Sequence, residues 1–300
     1  MKQFYGSIAL LLSIFVVSCE SQREGEFLQL KGSYMGQTPP GKTAEVFASG
    51  VISIDAWELE GIFAPGMREF YFVTKGEGFN FPTDHEKYDQ PTIFGFRFEN
   101  NHWRKFTEFP RTGEPFIATD DQTMYLAKGY RERSATGWSE VKSLGPLLDR
   151  DDWGIMRLTA STNATYVFDD YKSKVMRVSK EIDGKRQAPV ELPEHINSGD
   201  WTAHPFIAPN ESYLIWDSER EDGFGDSDLY ISFRQADGSW GAAINMGANV
   251  NSDKDDFYGS VTPDGNFLMF NRTISESDGD ANVDIYWVDA QIIEELRPKP

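Results

Sequence analysis

The amino-acid sequence predicts an all-β protein, folded as a closed β-propeller of four-stranded antiparallel blades. Aromatic residues make up 14% of the chain, and together with many Thr, Val and Ile residues they favour strands over helices. A turn flanked by alternating apolar residues returns after roughly fifty residues, a period typical of propeller blades. Helical periodicity extends beyond about two turns only in Ala290–Leu296.

The clearest repeat unit is a turn followed by an apolar strand. Pro209-Asn210 precedes Leu214-Ile215-Trp216, and Pro263-Asp264-Gly265 precedes a strand at 267–270. Proline sets φ for the first turn position, whereas Asn, Asp and Gly tolerate the tight reversal. Five such turns can be aligned, at Pro65, Thr119, Ser161, Pro209 and Pro263. They predict five blades, and a degenerate sixth blade is the alternative.

The remaining strands follow these turns. Third strands are expected at 93–98, 174–178, 228–233 and 284–288, and outer strands at 103–106, 138–141, 188–192 and 240–244. The second blade offers only the irregular stretch 129–133 as its third strand. The last blade has no outer strand after Trp287, and residues 44–47 have the pattern to supply it. Pairing of the N- and C-terminal strands would remove the free sheet edges.

The last two repeats also carry a resemblance to a known family. Ala208-Pro209-Asn210 with Leu214-Ile215-Trp216, and Thr262-Pro263-Asp264-Gly265 with Phe267–Phe270, resemble the WD40-like PD40 repeats of TolB-type propellers. The loop 217–226 and Asp228-Leu229-Tyr230 are similar to that repeat's loop and third strand. The resemblance covers residues 44–296. It implies a location in the cell envelope and a protein- or ligand-binding role without catalysis, and it carries over no catalytic residue.

Residues 1–18 are predicted to be a lipoprotein signal peptide. Lys2 precedes the apolar run Ile8–Val17, which is too short to span a bilayer as a mature helix. Val16-Val17-Ser18-Cys19 resembles a bacterial lipobox, which implies cleavage before Cys19 and attachment of lipid to this residue, the only cysteine of the chain. A plain cleaved signal is the alternative.

The predicted lipid anchor sets the expected organisation and location of the mature chain. The polar residues 19–43 are interpreted as a lipidated tether, and residues 44–300 as a single propeller domain. Glu20 stands where an aspartate would resemble an inner-membrane retention signal. We therefore expect an outer-membrane lipoprotein, held to the membrane through Cys19, on either side of that membrane.

The charge of the chain excludes one class of partner. The formal net charge is −19, which repels phosphate backbones and argues against nucleic-acid binding. An acidic surface suits solubility, cations or a basic partner. We expect a monomer that binds an envelope protein or a glycan and uses no cofactor, with calcium as an open alternative.

An acidic residue stands beside an aromatic residue shortly before four of the turns. In a propeller this position leads into the innermost strand, near the mouth of the central channel, where rings and carboxylates suit sugars or cationic groups. The alternative is that these rings pack between blades. The predicted ligand-binding residues are Trp57, Glu58, Trp153, Asp200, Trp201, His204, Asp256 and Tyr258.

Two further chemistries remain open. A hydrolase acting on glycans, lactones or esters would use channel carboxylates as acid and base, with Glu58, Asp200 and Asp256 as candidates. Oxygen ligands also alternate as in a calcium loop, although the glycine and the final glutamate of an EF-hand are missing. One such stretch contains Asp278, Asp280, Asn282 and Asp284, and the other contains Asp222, Asp226 and Asp228. For each of them, a solvated loop without a metal ion is the alternative.

Overall fold

Antiparallel strands dominate the computed structural model, which describes residues 31–54, 56–76, 88–135, 137–277 and 280–299. The helix α1 (Gln291–Leu296) is as the sequence predicts, and no helix among the described residues is long and apolar enough to cross a membrane. The strands are β1 (Glu45–Val46), β2 (Trp57–Phe63), β3 (Glu69–Gly76), β4 (Tyr88–Glu99), β5 (His102–Pro110), β6 (Pro115–Ile117), β7 (Thr123–Leu126), β8 (Gly129–Ser134), β9 (Gly137–Trp138), β10 (Lys142–Ser143), β11 (Leu158–Ala160), β12 (Tyr166–Asp170), β13 (Val175–Ser179), β14 (Glu181–Ile182), β15 (Lys185–Arg186), β16 (Val190–Glu191), β17 (Trp201–Ile207), β18 (Tyr213–Glu219), β19 (Asp228–Phe233), β20 (Ile244–Asn245), β21 (Asp256–Val261), β22 (Phe267–Ser277) and β23 (Asp280–Asp289).

The strands form five blades, as predicted. Blade I contains β2 to β5, blade II β6 to β10, blade III β11, β12, β13 and β16, blade IV β17 to β20, and blade V β21 to β23 with β1. A single parallel pair, Trp57 with Val283, joins blades V and I. We call the blade ends that carry the predicted turns the turn side. The opposite ends, where the innermost strands begin, form the mouth side.

The N-terminal strand closes the propeller, which confirms the predicted pairing. Strand β1 runs antiparallel to β23, with Glu45 opposite Trp287 and Val46 opposite Tyr286. The next residue, Phe47, is fully buried, and its backbone N–H donates to the Ile285 carbonyl at 2.8 Å. Backbone pairing and an aromatic side chain therefore both hold the closing strand in the last blade.

The blades differ from the sequence prediction in their outer parts. Blade II has a regular third strand, β8, where only an irregular stretch is visible in the sequence. The outer strands of blades III and IV, β16 and β20, are only two residues long. Trp240, expected in an outer strand, forms an isolated bridge with Arg234. Short outer strands leave little open edge for pairing with another chain.

Residues 31–43, the part of the predicted tether that the structure describes, make several contacts with the propeller. The Trp103 indole donates to the Gly32 carbonyl at 2.9 Å, and the Tyr34 hydroxyl donates to Asp264 at 2.6 Å. Met35 is fully buried. These residues therefore belong to the propeller body, packed on its turn side. Residues 1–30, with the predicted signal peptide and Cys19, lie outside the described residues.

Two asparagines repeat the same hydrogen bonds in neighbouring blades. Asn251 accepts from the Leu229 backbone N–H at 2.9 Å and donates to the Leu229 carbonyl at 3.0 Å. Asn197 does the same with Met176, at 2.8 and 3.0 Å. Each side chain thus ties the loop that leads into the next blade to a third strand.

Replacing Asn251 by alanine is expected to lower the free energy of unfolding by about 1–3 kcal/mol, because the buried Leu229 N–H loses its acceptor. The Leu229 carbonyl keeps its backbone hydrogen bond from Met246. Urea unfolding measures the change. Asn249→Ala in the same loop is the control, since Asn249 is exposed, and it should change stability by less than about 0.5 kcal/mol. Equal effects of the two substitutions would show that the paired hydrogen bonds contribute nothing specific.

Candidate functional site

The innermost strands of three blades are interrupted at the same place. Their pairing with the second strand shifts register between Leu59 and Ile62, between Ala203 and Phe206, and between Phe257 and Ser260. Bulges of this kind redirect a side chain. The residues at the bulges have positive φ angles of 55°, 49° and 57°, and they are Glu60, His204 and Tyr258.

Blades II and III add two further charged residues, which precede β6 and β11. We call the resulting cluster the channel ring, and its members are Glu60, Glu114, Arg157, His204 and Tyr258. Four of them occupy the same place in their repeats, five residues before the aligned turn residue, and Arg157 stands four before its own. All five are at least nine-tenths buried. One polar side chain from each blade therefore reaches the ring.

Arg157 connects the blades through the ring. Its Nε lies 3.3 Å from Oε1 of Glu60, and both side chains are fully buried. Its Nη1 donates to the Gly259 carbonyl at 3.1 Å and to the His204 carbonyl at 3.4 Å. A single side chain of blade III thus contacts blades I, IV and V.

Glu114 accepts two hydrogen bonds on one oxygen. The Tyr258 hydroxyl donates to its Oε1 at 2.8 Å, and Arg111 forms an ion pair with the same atom. Burial, reinforced by Glu114 and Glu60, raises the pKa of Tyr258 well above its ordinary value. Tyr258 is therefore a neutral hydrogen-bond donor.

His204 is held as a cation. Its Nδ1 lies 2.9 and 3.0 Å from the two carboxylate oxygens of Asp217, and its ring centroid is 3.7 Å from that of Tyr258. Burial alone would lower the pKa of His204. The nearby carboxylates, Asp217 first, outweigh burial and raise the pKa to about 9. The imidazole is thus protonated at neutral pH, with Nε2–H as a further donor.

Two carboxyl groups of this region are costly to ionise. Burial raises the pKa of Glu60 to about 7, although Arg157 opposes the shift. Burial also raises the pKa of Asp169 to about 6. Several buried atoms have no hydrogen-bond partner among the described residues, and they are both Oε atoms of Glu60, Oε2 of Glu114, Nη2 of Arg157 and Nε2 of His204. The ring therefore retains donors and acceptors for water or a small polar ligand.

These shifts predict that the protein loses stability as the pH rises through the neutral range. Native Glu60, with its pKa near 7 against an ordinary 4.5, keeps its proton where the unfolded chain has lost it. The resulting stabilisation, about 3 kcal/mol, is present below pH 4.5 and disappears as the pH passes 7. Asp169 contributes with the same sign up to about pH 6. His204, whose pKa rises from 6.5 to about 9 on folding, adds a further loss of stability between these two pH values.

Urea unfolding of the wild type and Glu60→Gln, measured from about pH 5 to pH 8, tests this expectation. The variant cannot titrate at position 60 and should show a shallower decline. The substitution Glu99→Gln is the control, because Glu99 is exposed on the turn side. Identical slopes for the wild type and Glu60→Gln would show that Glu60 does not titrate in this range.

The predicted tryptophans lie on the mouth side. Trp57 and Trp201 are the first residues of β2 and β17, and both are half-buried. Trp153 packs on Phe168, with ring centroids 5.6 Å apart, and two arginine side chains lie within about 5 Å of its ring. Asp55, the acidic partner of Trp57 in the sequence, lies outside the described residues.

The three candidate catalytic carboxylates have different surroundings. Asp256 is fully buried, with Arg272 Nε 2.6 Å from Oδ1 and two donors of Ser252 on Oδ2. Burial raises the pKa of Asp256, and Arg272 opposes this shift. Glu58 is fully buried, whereas Asp200 is exposed. The structure therefore does not gather the three carboxylates at one surface.

An open cleft of about 660 Å³ lies on the mouth side of blade IV. We call it the mouth cleft. Its wall carries one arginine and five acidic residues, which are Asp200, Glu219, Glu221, Asp222 and Asp226. Phe224, on the same loop, is 50% exposed. Asp228 shapes this loop, because it accepts from the Phe224 N–H at 2.6 Å and from Asn245 Nδ2 at 2.8 Å. The cleft thus offers negative charge beside an accessible ring.

The described residues contain no group of three or more His, Cys, Asp or Glu side chains placed to hold a metal ion. The carboxylate of Asp228 is engaged by its own loop. Asp278 and the side chain of Asp280 lie outside the described residues. A calcium site therefore stays a prediction.

Fold and site together define a five-bladed β-propeller with a buried charged ring in its channel and an acidic cleft at its mouth. No protein-family model matches the sequence, and no curated protein matches it. Solved structures with a similar chain path include two TolB structures and a gluconolactonase.

TolB from Acinetobacter baumannii is 12% identical, with a TM-score of 0.44, over 77% of this chain and 54% of the TolB chain. A TolB structure from Agrobacterium tumefaciens is 12% identical, with a TM-score of 0.44, over 78% of this chain and 77% of that chain. The periplasmic gluconolactonase of Pseudomonas aeruginosa is 13% identical, with a TM-score of 0.41, over 72% of this chain and 65% of that chain. The chain thus spans about half of the first of these proteins, and similarities of this size carry no conclusion about function.

Proposed function

We propose that this protein is a lipid-anchored β-propeller of the cell envelope that binds a partner at the mouth of its channel and catalyses no reaction. The partner class that the charge favours is an envelope protein with an exposed basic segment. A glycan stacked on the mouth tryptophans is the other ligand considered. The lipid anchor is the predicted modification of Cys19.

The observation that carries the proposal is the mouth cleft. Five carboxylates around one open surface attract cations, and an exposed ring such as Phe224 adds apolar and cation–π contact. The candidate catalytic carboxylates do not converge there, since only Asp200 of the three lines the cleft. A glycosidase would need two carboxyl groups facing each other about 5–10 Å apart.

The test is a thermal-shift and titration series with a Lys/Arg-rich peptide, peptidoglycan fragments and calcium. The wild type is compared with Asp222→Asn/Asp226→Asn on the cleft wall. Glu99→Gln/Asp183→Asn is the matched control, because it removes the same charge from the exposed turn side. We expect the peptide to bind the wild type and the control equally, and the cleft variant about tenfold more weakly. Equally weaker peptide binding in both variants would show that the effect depends on the net charge of the protein and not on the cleft.

A hydrolase acting on lactones, esters or glycans is the second candidate, and one observation favours it. Asp217 binds Nδ1 of His204, and Nε2 has no hydrogen-bond partner among the described residues. Glu60 and Glu114 lie near enough to interact with the charge of the His204 imidazole. A protonated histidine in this arrangement could donate a proton to a leaving group. Turnover of fluorogenic lactones and esters that disappears in His204→Gln, with folding retained, would favour this candidate over the binding role.

A further inference from the structure

We propose that the turn side of the propeller faces the anchoring membrane and that the mouth side, with its cleft, faces away from it. This inference rests on the proposed lipid anchor at Cys19. It adds a defined orientation to that proposal, and it assigns the turn side as a surface that lies against lipid headgroups.

The chain reaches the propeller body on the turn side. Lys31 pairs with His102 in an isolated bridge, and the Trp103 indole donates to the Gly32 carbonyl. His102 and Trp103 begin β5. This strand starts on the turn side, because β2 runs toward that side and the strands of a blade alternate in direction. Whatever precedes residue 31 therefore emerges on the turn side.

The segment that follows stays on the same side. The Tyr34 hydroxyl donates to Asp264 in the turn of blade V, and the Tyr34 ring lies 5.0 Å from the Phe267 ring. Further on, the Asp289 N–H donates to the Gly41 carbonyl at 3.0 Å, and Lys42 forms an ion pair with Glu295. Residues 31–43 thus lie across the turn side of blades I and V, held by backbone, aromatic and ionic contacts.

The number of residues between Cys19 and the propeller body also favours the turn side. Eleven residues separate Cys19 from Lys31, and a chain of this length spans at most about 36–40 Å. The strands of blade I, with seven to twelve residues, are about 23–40 Å long. To bring the mouth side to the membrane, the linking residues would have to run along a whole blade in an extended conformation that uses more than half of their greatest span. The turn side needs no such extension.

Residues 31–43 and the mouth loop also differ in charge. Residues 31–43 contain two lysines and no carboxylate, in a chain whose formal charge is −19. The mouth loop 217–228 contains six carboxylates and one arginine. Four of these six carboxylates line the open mouth cleft, and a membrane with anionic lipids repels them. The turn side also carries exposed carboxylates, such as Glu99 and Asp183, so charge keeps the mouth side away from the membrane without drawing the turn side to it. Chain path, reach and charge therefore give the same orientation, and they leave the mouth cleft open to partners.

Energy transfer to the membrane tests the orientation. The lipidated protein is placed in vesicles of phosphatidylethanolamine and phosphatidylglycerol that contain an acceptor dye on the headgroups. A donor dye is attached through an azide-bearing residue at position 104 or 254. Arg104 near the start of β5 and Lys254 on the mouth side are both exposed, and each substitution removes one positive charge. We expect transfer to be about twofold or more higher from position 104, because a blade length separates the two dyes.

Equal transfer from the two positions, or higher transfer from 254, would overturn the proposed orientation. The Cys19→Ser protein, which has no anchor, should give background transfer from both positions. If the protein purified from cells carries no lipid, the proposed anchor fails. Cys19 is then coupled to a maleimide lipid, and the same comparison still measures the orientation that residues 31–43 impose.

Discussion

Replacing Arg157 by methionine is expected to lower the free energy of unfolding by about 3–5 kcal/mol. Arg157 is fully buried 3.3 Å from Glu60 and donates to the carbonyls of Gly259 and His204. Methionine leaves the Glu60 carboxylate without its cation and two carbonyls without a donor. Urea unfolding at about pH 8, above the pKa of about 7 that Glu60 has beside Arg157, measures the effect.

The companion variants identify the cause. Adding Glu60→Gln to Arg157→Met removes the isolated charge, so the double variant should regain about half of the loss or more. Arg150→Met is the control, because Arg150 forms its ion pair with Asp152 where both side chains are exposed, and it should cost about 1 kcal/mol or less. A cost below about 1 kcal/mol for Arg157→Met would show that the ring is hydrated and contributes little to stability.

Replacing Phe47 by alanine should destabilise the protein by about 3–5 kcal/mol. Phe47 is fully buried, and its ring centroid lies 5.2 Å from Phe70 and 5.1 Å from Trp287. It follows directly after β1, so the cavity would loosen the strand that closes the propeller. Thermal unfolding should show the loss, and limited proteolysis should show faster cleavage within residues 31–54.

The control for this experiment is Val141→Ala. Val141 is 40% exposed, and its replacement should change stability by less than about 0.5 kcal/mol. If Phe47→Ala unfolds like the wild type and its N-terminal residues stay protected, the closing strand does not depend on this side chain. The backbone pairing of β1 with β23 would then be sufficient for closure.

The blade architecture could be predicted because its signals are local. A turn such as Thr262-Pro263-Asp264-Gly265 has residues suited to the reversal, and the strand after it has apolar residues suited to burial. The missing outer strand of blade V could be placed because residues 44–47 were the remaining segment with a strand pattern. Pairing of Glu45 with Trp287 confirms that assignment.

The channel ring could not be predicted because bulges interrupt the alternation on which strand patterns depend. Glu60 and Glu114 were not among the predicted site residues. The signal that could have found them is a polar residue that recurs five residues before four of the turns. His204 and Tyr258 were predicted as mouth residues. The structure places both in the ring, where they are buried and in contact with each other.

The packing of residues 31–43 was also not visible in the sequence. Tyr34 and Met35 stand alone among Gly, Ser, Pro and Thr residues, so no periodic pattern indicates a buried face. Their burial depends on rings that come from distant parts of the chain, such as Phe63 and Phe267. Contacts of this kind are set by tertiary structure, which local patterns do not report.

The most direct test of the binding role is photo-crosslinking in living cells. A photoreactive residue replaces Phe224 beside the mouth cleft or, in a second strain, Asp237 on the exposed turn side of blade IV. We expect a discrete crosslinked protein from position 224, in an amount that Asp222→Asn/Asp226→Asn reduces, and no crosslinked protein from position 237. An adduct that forms from position 237 and not from 224 would contradict the assignment of the mouth as the binding face.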